Sequence, residues 1–263
     1  MTSLLDAPPS LVEALRATRR RRPRADRQSA AGLRAMLDDG IFAVTGGERP
    51  ATPLVVHAGS LRRDTTSNLD DSTLPRLRGI LVAQLLRLLS VGVHVDDPFE
   101  DAALAWRAQA PSPEMILRFE RLDAEERARL RTDVDAHFVT LARSLGVVPG
   151  QWQPRSALRI VQRLSGGDVV VHDHIDLMFG SPNSPEASVT LLDLTSSPLG
   201  EGAERAMHFH ALCETLRTST VPLRSAVFSS ATGELWTRDV DSELLTRAVD
   251  DVLIRIEHAW AQR

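Results

Sequence analysis

The hydrophobic period of this chain changes once, near Pro154, and that change limits the folds open to it. Upstream, apolar residues recur at helical spacing. Ile80, Leu81, Leu85, Leu88 and Leu89 form one stripe, stopped by Gly92, and Leu130, Val134, Phe138 and Leu141 form another. Asp96-Asp97-Pro98 opens a helix through Trp106, and Asp123 with Glu126 three positions on is a capping box for a helix over 123–145. Downstream, 156–164 and 168–179 are β-rich runs joined by Ser165-Gly166-Gly167, a hairpin signal. A third strand over 188–194, a helix over about 202–217, a strand over 224–229 and a helix over 241–260 complete the order. Helices followed by β-β-β-α-β-α, with no repeats, predict an α/β fold with a mixed central β-sheet flanked by helices and a helical N-terminal part.

The N-terminal third reads differently. Residues 1–40 are expected to be a basic, flexible segment with a short helix or coil near Ser10–Leu15. Residues 41–263 are expected to form a single α/β domain, helical over 75–150 and sheet-containing over 155–263, and 41–75 reads as irregular apart from a strand at Leu54-Val55-Val56. Arg16, Arg19, Arg20, Arg21, Arg22, Arg24 and Arg27 crowd residues 16–27 against one acid, Asp26. Arg19, Arg20, Arg21, Arg22 and Arg24 are therefore candidate phosphate contacts, with a solvated tail as the plainer reading.

The formal net charge of −4 does not itself point to nucleic acid. All 31 Lys and Arg residues are arginine, so no step here can use a lysine ammonium as base, Schiff-base nucleophile or clamp. Cys213 is alone, which excludes an internal disulfide and a cluster held by four cysteines of this chain. No apolar run is long enough to span a bilayer, and Met1–Asp6 does not open a signal peptide, so a cytoplasmic protein without a membrane partner is expected.

Two acids lie near strand ends: Asp176 in His172-Asp173-His174-Ile175-Asp176-Leu177, and Asp193 in Leu191-Leu192-Asp193-Leu194-Thr195. With Phe209-His210-Ala211-Leu212-Cys213 on the following helix, Gly79-Ile80-Leu81-Val82-Ala83 upstream and Trp152-Gln153-Pro154-Arg155 entering the first strand, the chain resembles the RecB-like branch of the PD-(D/E)XK nucleases over about residues 75–255. The resemblance implies a restriction-endonuclease-like fold in which two carboxylates hold Mg²⁺ or Mn²⁺ while a lysine steadies the attacking water and the phosphate. Carried over, Asp176 and Asp193 are the carboxylates, and Thr195 stands at the lysine position without a charge. Ala83 replaces the family's helical His, Ala206 its Gln and His210 its Tyr, while Asp173 and His174 replace the glycine and basic residue before the first carboxylate.

These departures point to a catalytically degenerate nuclease-fold protein acting as a nucleic-acid-binding or assembly subunit beside a protein partner. One alternative is an active Mg²⁺- or Mn²⁺-dependent nuclease in which Arg205, Arg159 or Arg163 supplies the missing charge. Another is a His/Asp metal-site hydrolase. His172, His174 and Asp176 alternate along one strand and share a face, which adds His174 to Asp176 and Asp193 as a candidate ligand. His208 and His210, two apart on a helix, do not share one. There is no phosphate loop, dinucleotide fingerprint or nucleophile elbow, and the scattered tryptophans offer no base-stacking platform.

Overall fold

The structure is a computed structural model that describes residues 10–16, 24–62, 73–109 and 112–263. It is an α/β fold built on a six-stranded mixed sheet with helices on both faces. The strands are β1 (Leu54–His57), β2 (Arg155–Leu164), β3 (Val169–Phe179), β4 (Thr190–Thr195), β5 (Arg224–Ser229) and β6 (Leu235–Asp239). The helices are α1 (Leu11–Arg16), α2 (Ser29–Thr45), α3 (Ala58–Arg62), α4 (Thr73–Ser90), α5 (Pro98–Arg107), α6 (Pro113–Glu120), α7 (Ala124–Leu145), α8 (Glu201–Thr218) and α9 (Ser242–Ala261).

β3 organises the sheet. β2 pairs antiparallel along one edge of it, from Leu164↔Val169 to Arg155↔Met178. The other edge is shared. β1 runs parallel to its first part, ending at His57↔His172, and β4 runs antiparallel to its last part, at Leu177↔Leu192 and Phe179↔Thr190. Two strands therefore approach one another with their C-terminal ends, and residues 173–176 of β3 face the gap between them. α8 then returns the chain to β5, parallel to β4, and β6 closes the far edge.

Side-chain alternation decides what covers each face. α2, α8 and α9 pack on one face over Leu54, Val56, Ile160, Leu164, Val171, Ile175 and Leu191. The helices α1 and α4 to α7 pack on the other, over Leu177, Phe179, Leu192, Ala226 and Phe228. Ile175 and Met178 belong to the first cluster but Leu177 to the second, so the alternation of β3 slips by one residue there. Ala157, beside that point on β2, has φ 54°, the local distortion that accompanies the slip. α8 is buried on all sides from Ala206 to Leu216, as a helix between a sheet and other helices must be.

The capping box at Asp123 and Glu126 forms, with both side chains bonded to backbone amides. The body begins earlier than residue 41. Residues 29–45 are a helix whose Leu33, Leu37 and Ile41 are buried in the first cluster, and Leu11, Val12 and Leu15 of α1 are buried in the second. The stretch read as irregular over 41–75 contains α3 and the start of α4, and α6 and β6 add elements beyond the expected order. Arg19, Arg20, Arg21 and Arg22 lie outside the described residues. Arg24 is exposed and forms an isolated bridge with Glu186. Among the described residues no helix is long and apolar enough to cross a membrane.

Two glycines test these packing assignments from opposite sides. Gly180, after β3, has φ 82°, and a Cβ there would overlap the Ser188 carbonyl. Gly180→Ala is expected to cost about 2 kcal/mol or more in denaturant unfolding, through strain and overlap together. Gly32 sits on the open side of α2 with nothing near a Cβ. Gly32→Ala should raise stability by up to about 1 kcal/mol, and a loss instead would contradict the helix.

Candidate functional site

The gap where β1 and β4 end against the middle of β3 is a cleft of about 280 Å³, lined by His57, Gly59, Arg62, His172, Asp173, His174, Asp193 and His210. Crevices at the carboxyl ends of strands, where the sheet order changes direction, are where open α/β sheets place ligand-binding groups. The two acids singled out from sequence lie on neighbouring strands, Asp176 on β3 and Asp193 on β4, but they do not share the cleft. Asp193 lines it and turns toward His210 of α8, whereas Asp176 is not among its lining residues and turns toward His174 and the Leu194 amide.

Asp193 is 5% exposed and is paired with the Arg62 guanidinium. Its Oδ1 lies 3.6 Å from His210 Nε2. His210, on α8, directs Nδ1 to both carboxylate oxygens of Asp173 at 2.9 Å, so that nitrogen carries the proton and donates. His210 Nε2 is buried without a hydrogen-bond partner. Asp173, 1% exposed, also accepts the His174 amide at 2.8 Å. A connected row of polar side chains results: Asp173, His210, Asp193, Arg62.

Asp176 is turned differently. Its Oδ2 accepts the Leu194 amide at 2.8 Å, bridging β3 to β4 where the ladder has ended, and its Oδ1 lies 3.6 Å from His174 Nδ1. The charges of Asp176 and Asp173 favour protonated Arg62, opposing the burial that lowers its pKa. Arg62 thus feels all three carboxylates.

Arg62 arrives from far along the chain, and two features of α8 hold it. Gly202 lets the Arg62 backbone come so close that a Cβ would overlap the Arg62 carbonyl. Arg205 donates Nε–H to the Leu61 carbonyl at 2.9 Å. Arg205 therefore anchors α3, and Arg159 and Arg163 lie exposed on β2, so the basic residue that reaches Asp193 is Arg62, which the sequence reading passed over. Its signal was weak: one of two adjacent arginines, Arg62 and Arg63, after a short Gly- and Ser-containing stretch.

The residues that depart from the nuclease pattern also have places. Asp173 and His210, which the sequence resemblance would set at a glycine and a tyrosine position, contact each other in the structure. Ala206 is fully buried under the sheet. Thr195, at the lysine position, ends β4. Its carbonyl accepts the Ser230 amide at 2.9 Å and hydroxyl at 3.0 Å, and its hydroxyl accepts the Ser197 amide at 3.2 Å. Ser230 also meets His137 Nδ1 of α7 at 3.0 Å. His208 points away from the cleft, 3.9 Å from Glu204.

This donor set does not fit Mg²⁺ or Mn²⁺. Such ions need several oxygen ligands whose charge is not already matched, whereas Asp193 is held by a guanidinium. Among the described residues no three or more His, Cys, Asp or Glu side chains are arranged to hold a metal ion.

No family model and no curated protein matches the chain. Among solved structures, the crystal structure of SSO0001 is similar over 84% of each chain at 11% sequence identity, with a TM-score of 0.32, which is too slight to carry any inference.

Two expectations follow. Gly202→Ala should push α3 away from α8 and cost about 1–3 kcal/mol in thermal or denaturant unfolding. Burial lowers the pKa of His137, so its neutral form is favoured in the fold. Its contribution is complete above the unfolded value of about 6.5 and is lost as pH falls below it. His137→Gln should therefore flatten the acid side of the stability–pH curve relative to the parent, whereas parallel curves would contradict the assignment.

Proposed function

We propose that this chain is a catalytically degenerate PD-(D/E)XK-type protein that holds nucleic acid by its backbone without cutting it. Support for the family reading comes from the antiparallel run β2-β3-β4, followed by α8 and a parallel β5. Support for the loss of cleavage comes from Thr195, a neutral side chain at the lysine position, and from the guanidinium on Asp193.

The observation that carries the binding part is the uncovered half of the sheet. Helices α4 to α7 cover β4 and β5 but stop short of β1, β2 and the first part of β3. On that face the paired rows read Val55, Val170 and Arg163, then His57, His172 and Val161, then His174 and Arg159. Val55 and Val161 are 59% and 55% exposed, and Arg159, Arg163, His57, His172 and His174 are exposed as well. The nearest acid on this face, Asp176, is largely buried and engaged with Leu194 and His174.

An open, cationic face suits a polyanion. Arg159 and Arg163 are four strand residues apart, about 13 Å, far enough to meet separate phosphates of a nucleic-acid backbone. The face has no Phe or Trp ring on which bases could stack, only histidine imidazoles beside its arginines, so backbone contact to a duplex is favoured over capture of a single strand.

Fluorescence anisotropy of a labelled duplex across a salt series tests this. The parent should bind with affinity falling steeply with salt, and Arg159→Ala/Arg163→Ala should weaken binding and reduce the log–log slope by about 2. A folded double variant with unchanged slope would overturn the placement, and a parent that binds no nucleic acid would overturn the function. Neither Mg²⁺ nor Mn²⁺ should elicit cleavage of DNA. Cleavage abolished by Asp193→Ala would instead make Arg62 the replacement for the lysine.

A further inference from the structure

We infer that the cleft at the ends of β1 and β4 binds a single nucleobase that carries an amino group beside a ring nitrogen, as adenine and cytosine do. The pattern of donor and acceptor comes from the cleft alone. The choice of a base to bear it rests on the reading of the open face as a nucleic-acid surface.

The floor of the cleft holds an unanswered acceptor. His210 is 1% exposed and lines the cleft. Its Nδ1 donates to Asp173 at 2.9 Å, so Nε2 presents a lone pair, and that atom is buried without a hydrogen-bond partner. Asp193 Oδ1 lies 3.6 Å away, too far for a hydrogen bond and itself an acceptor. Two acceptors thus face each other with no donor between them. Polar atoms left unpaired in the interior are costly, and one amino group placed against both would satisfy them together.

An unanswered donor lies on the other side of the same carboxylate. Arg62 pairs with Asp193 Oδ2 through Nη2, while its Nε–H is buried without a partner. Arg62 also lines the cleft. His210 Nε2 and the guanidinium therefore flank one carboxylate, a separation that a single ring can span. The ligand needs an N–H₂ group for His210 and Asp193 and, next to it, an acceptor for Arg62. An anion is disfavoured, because Asp173, Asp193 and the His210 lone pair all oppose it. A cation is not required, because Arg62 already matches the charge of Asp193. A neutral amino group meets both conditions.

Size and setting point to a base. A cleft of about 280 Å³ is at the small end of ligand pockets. His57, His172 and His174 belong both to its lining and to the exposed face that carries Arg159 and Arg163. Their imidazoles are flat rings on which a base can stack. A base unpaired from a strand held by those arginines would meet the cleft next.

Free cytidine and adenosine are the first probes, read by calorimetry and by the side-chain nitrogen resonances of His210 in the full chain. Both should bind and shift the Nε2 resonance, whereas uridine, which has no amino group, should do neither. Cytidine with its amino group dimethylated should bind at least about tenfold more weakly, since it leaves His210 and Asp193 unanswered. A cytidine analogue with carbon in place of the ring nitrogen should lose affinity likewise, through Arg62. These comparisons use the unaltered protein, so misfolding cannot imitate them. A duplex with one unpaired cytosine should bind more tightly than the fully paired duplex, and an unpaired dimethylated cytosine should remove that gain. Nucleoside binding without the gain makes the free nucleoside the ligand and keeps the inference. Salt-dependent duplex binding with neither nucleoside binding nor the gain would overturn the inference and leave the nucleic-acid reading standing. Nucleoside binding with no duplex binding would do the reverse. Equal binding of cytidine and its dimethylated form, or displacement of cytidine by inorganic phosphate, would also overturn the inference.

Discussion

One edge of β3 is shared by two strands that run toward each other, and most of the molecule follows from that. β1 and β4 cannot both continue along the same edge, so each stops and leaves residues 173–176 without a ladder partner there. The chain must leave the sheet at both ends, into α3 from β1 and toward α8 from β4. Backbone groups released at the gap need substitutes, and the Asp176 carboxylate supplies one by accepting the Leu194 amide. An interruption in the sheet thereby collects acids, and the acids in turn require cations.

The partners of these acids come from two sources with different reach. His210 stands on a helix that is buried all round, so its polar ring is tolerable only because Asp173 lies 2.9 Å away. Arg62 comes from a five-residue helix held by its neighbours. The site is therefore rigid on the α8 side and dependent on tertiary clamps on the α3 side. Arginine suits that position better than lysine: it stays charged when partly buried, and its planar fork can face more than one carboxylate.

Long, strongly periodic elements were legible in the sequence, and short ones were not. The change of period at Pro154 correctly announced β2, β3, β4, α8 and β5, and the Asp123–Glu126 pair announced α7, because each signal is local. The helix α2 carries its buried residues at 33, 37 and 41, but two glycines and the neighbouring arginines masked the stripe. α6 has eight residues behind a Ser112-Pro113 start, and β6 has five residues, none of them fully buried. In the candidate site, Asp176 and Asp193 could be proposed because strand ends can be read locally. Arg62 could not, since it meets Asp193 across 131 positions of sequence. Asp173 and His210 looked like two unrelated losses and are one contact made across 37 positions.

β2 also bears on how copies of this chain behave toward one another. Among the described strands it pairs only with β3, so its outer edge leaves main-chain donors and acceptors able to accept another strand. Three features discourage such sheet-to-sheet joining. Ala157 bends the strand with φ 54°, Arg159 and Arg163 place like charges along it, and Arg34 of α2 caps the Arg163 carbonyl at 3.2 Å and the Gln162 side chain at 3.0 Å. The edge is thereby guarded against self-association at high concentration, and neutralising its two arginines would remove part of that protection.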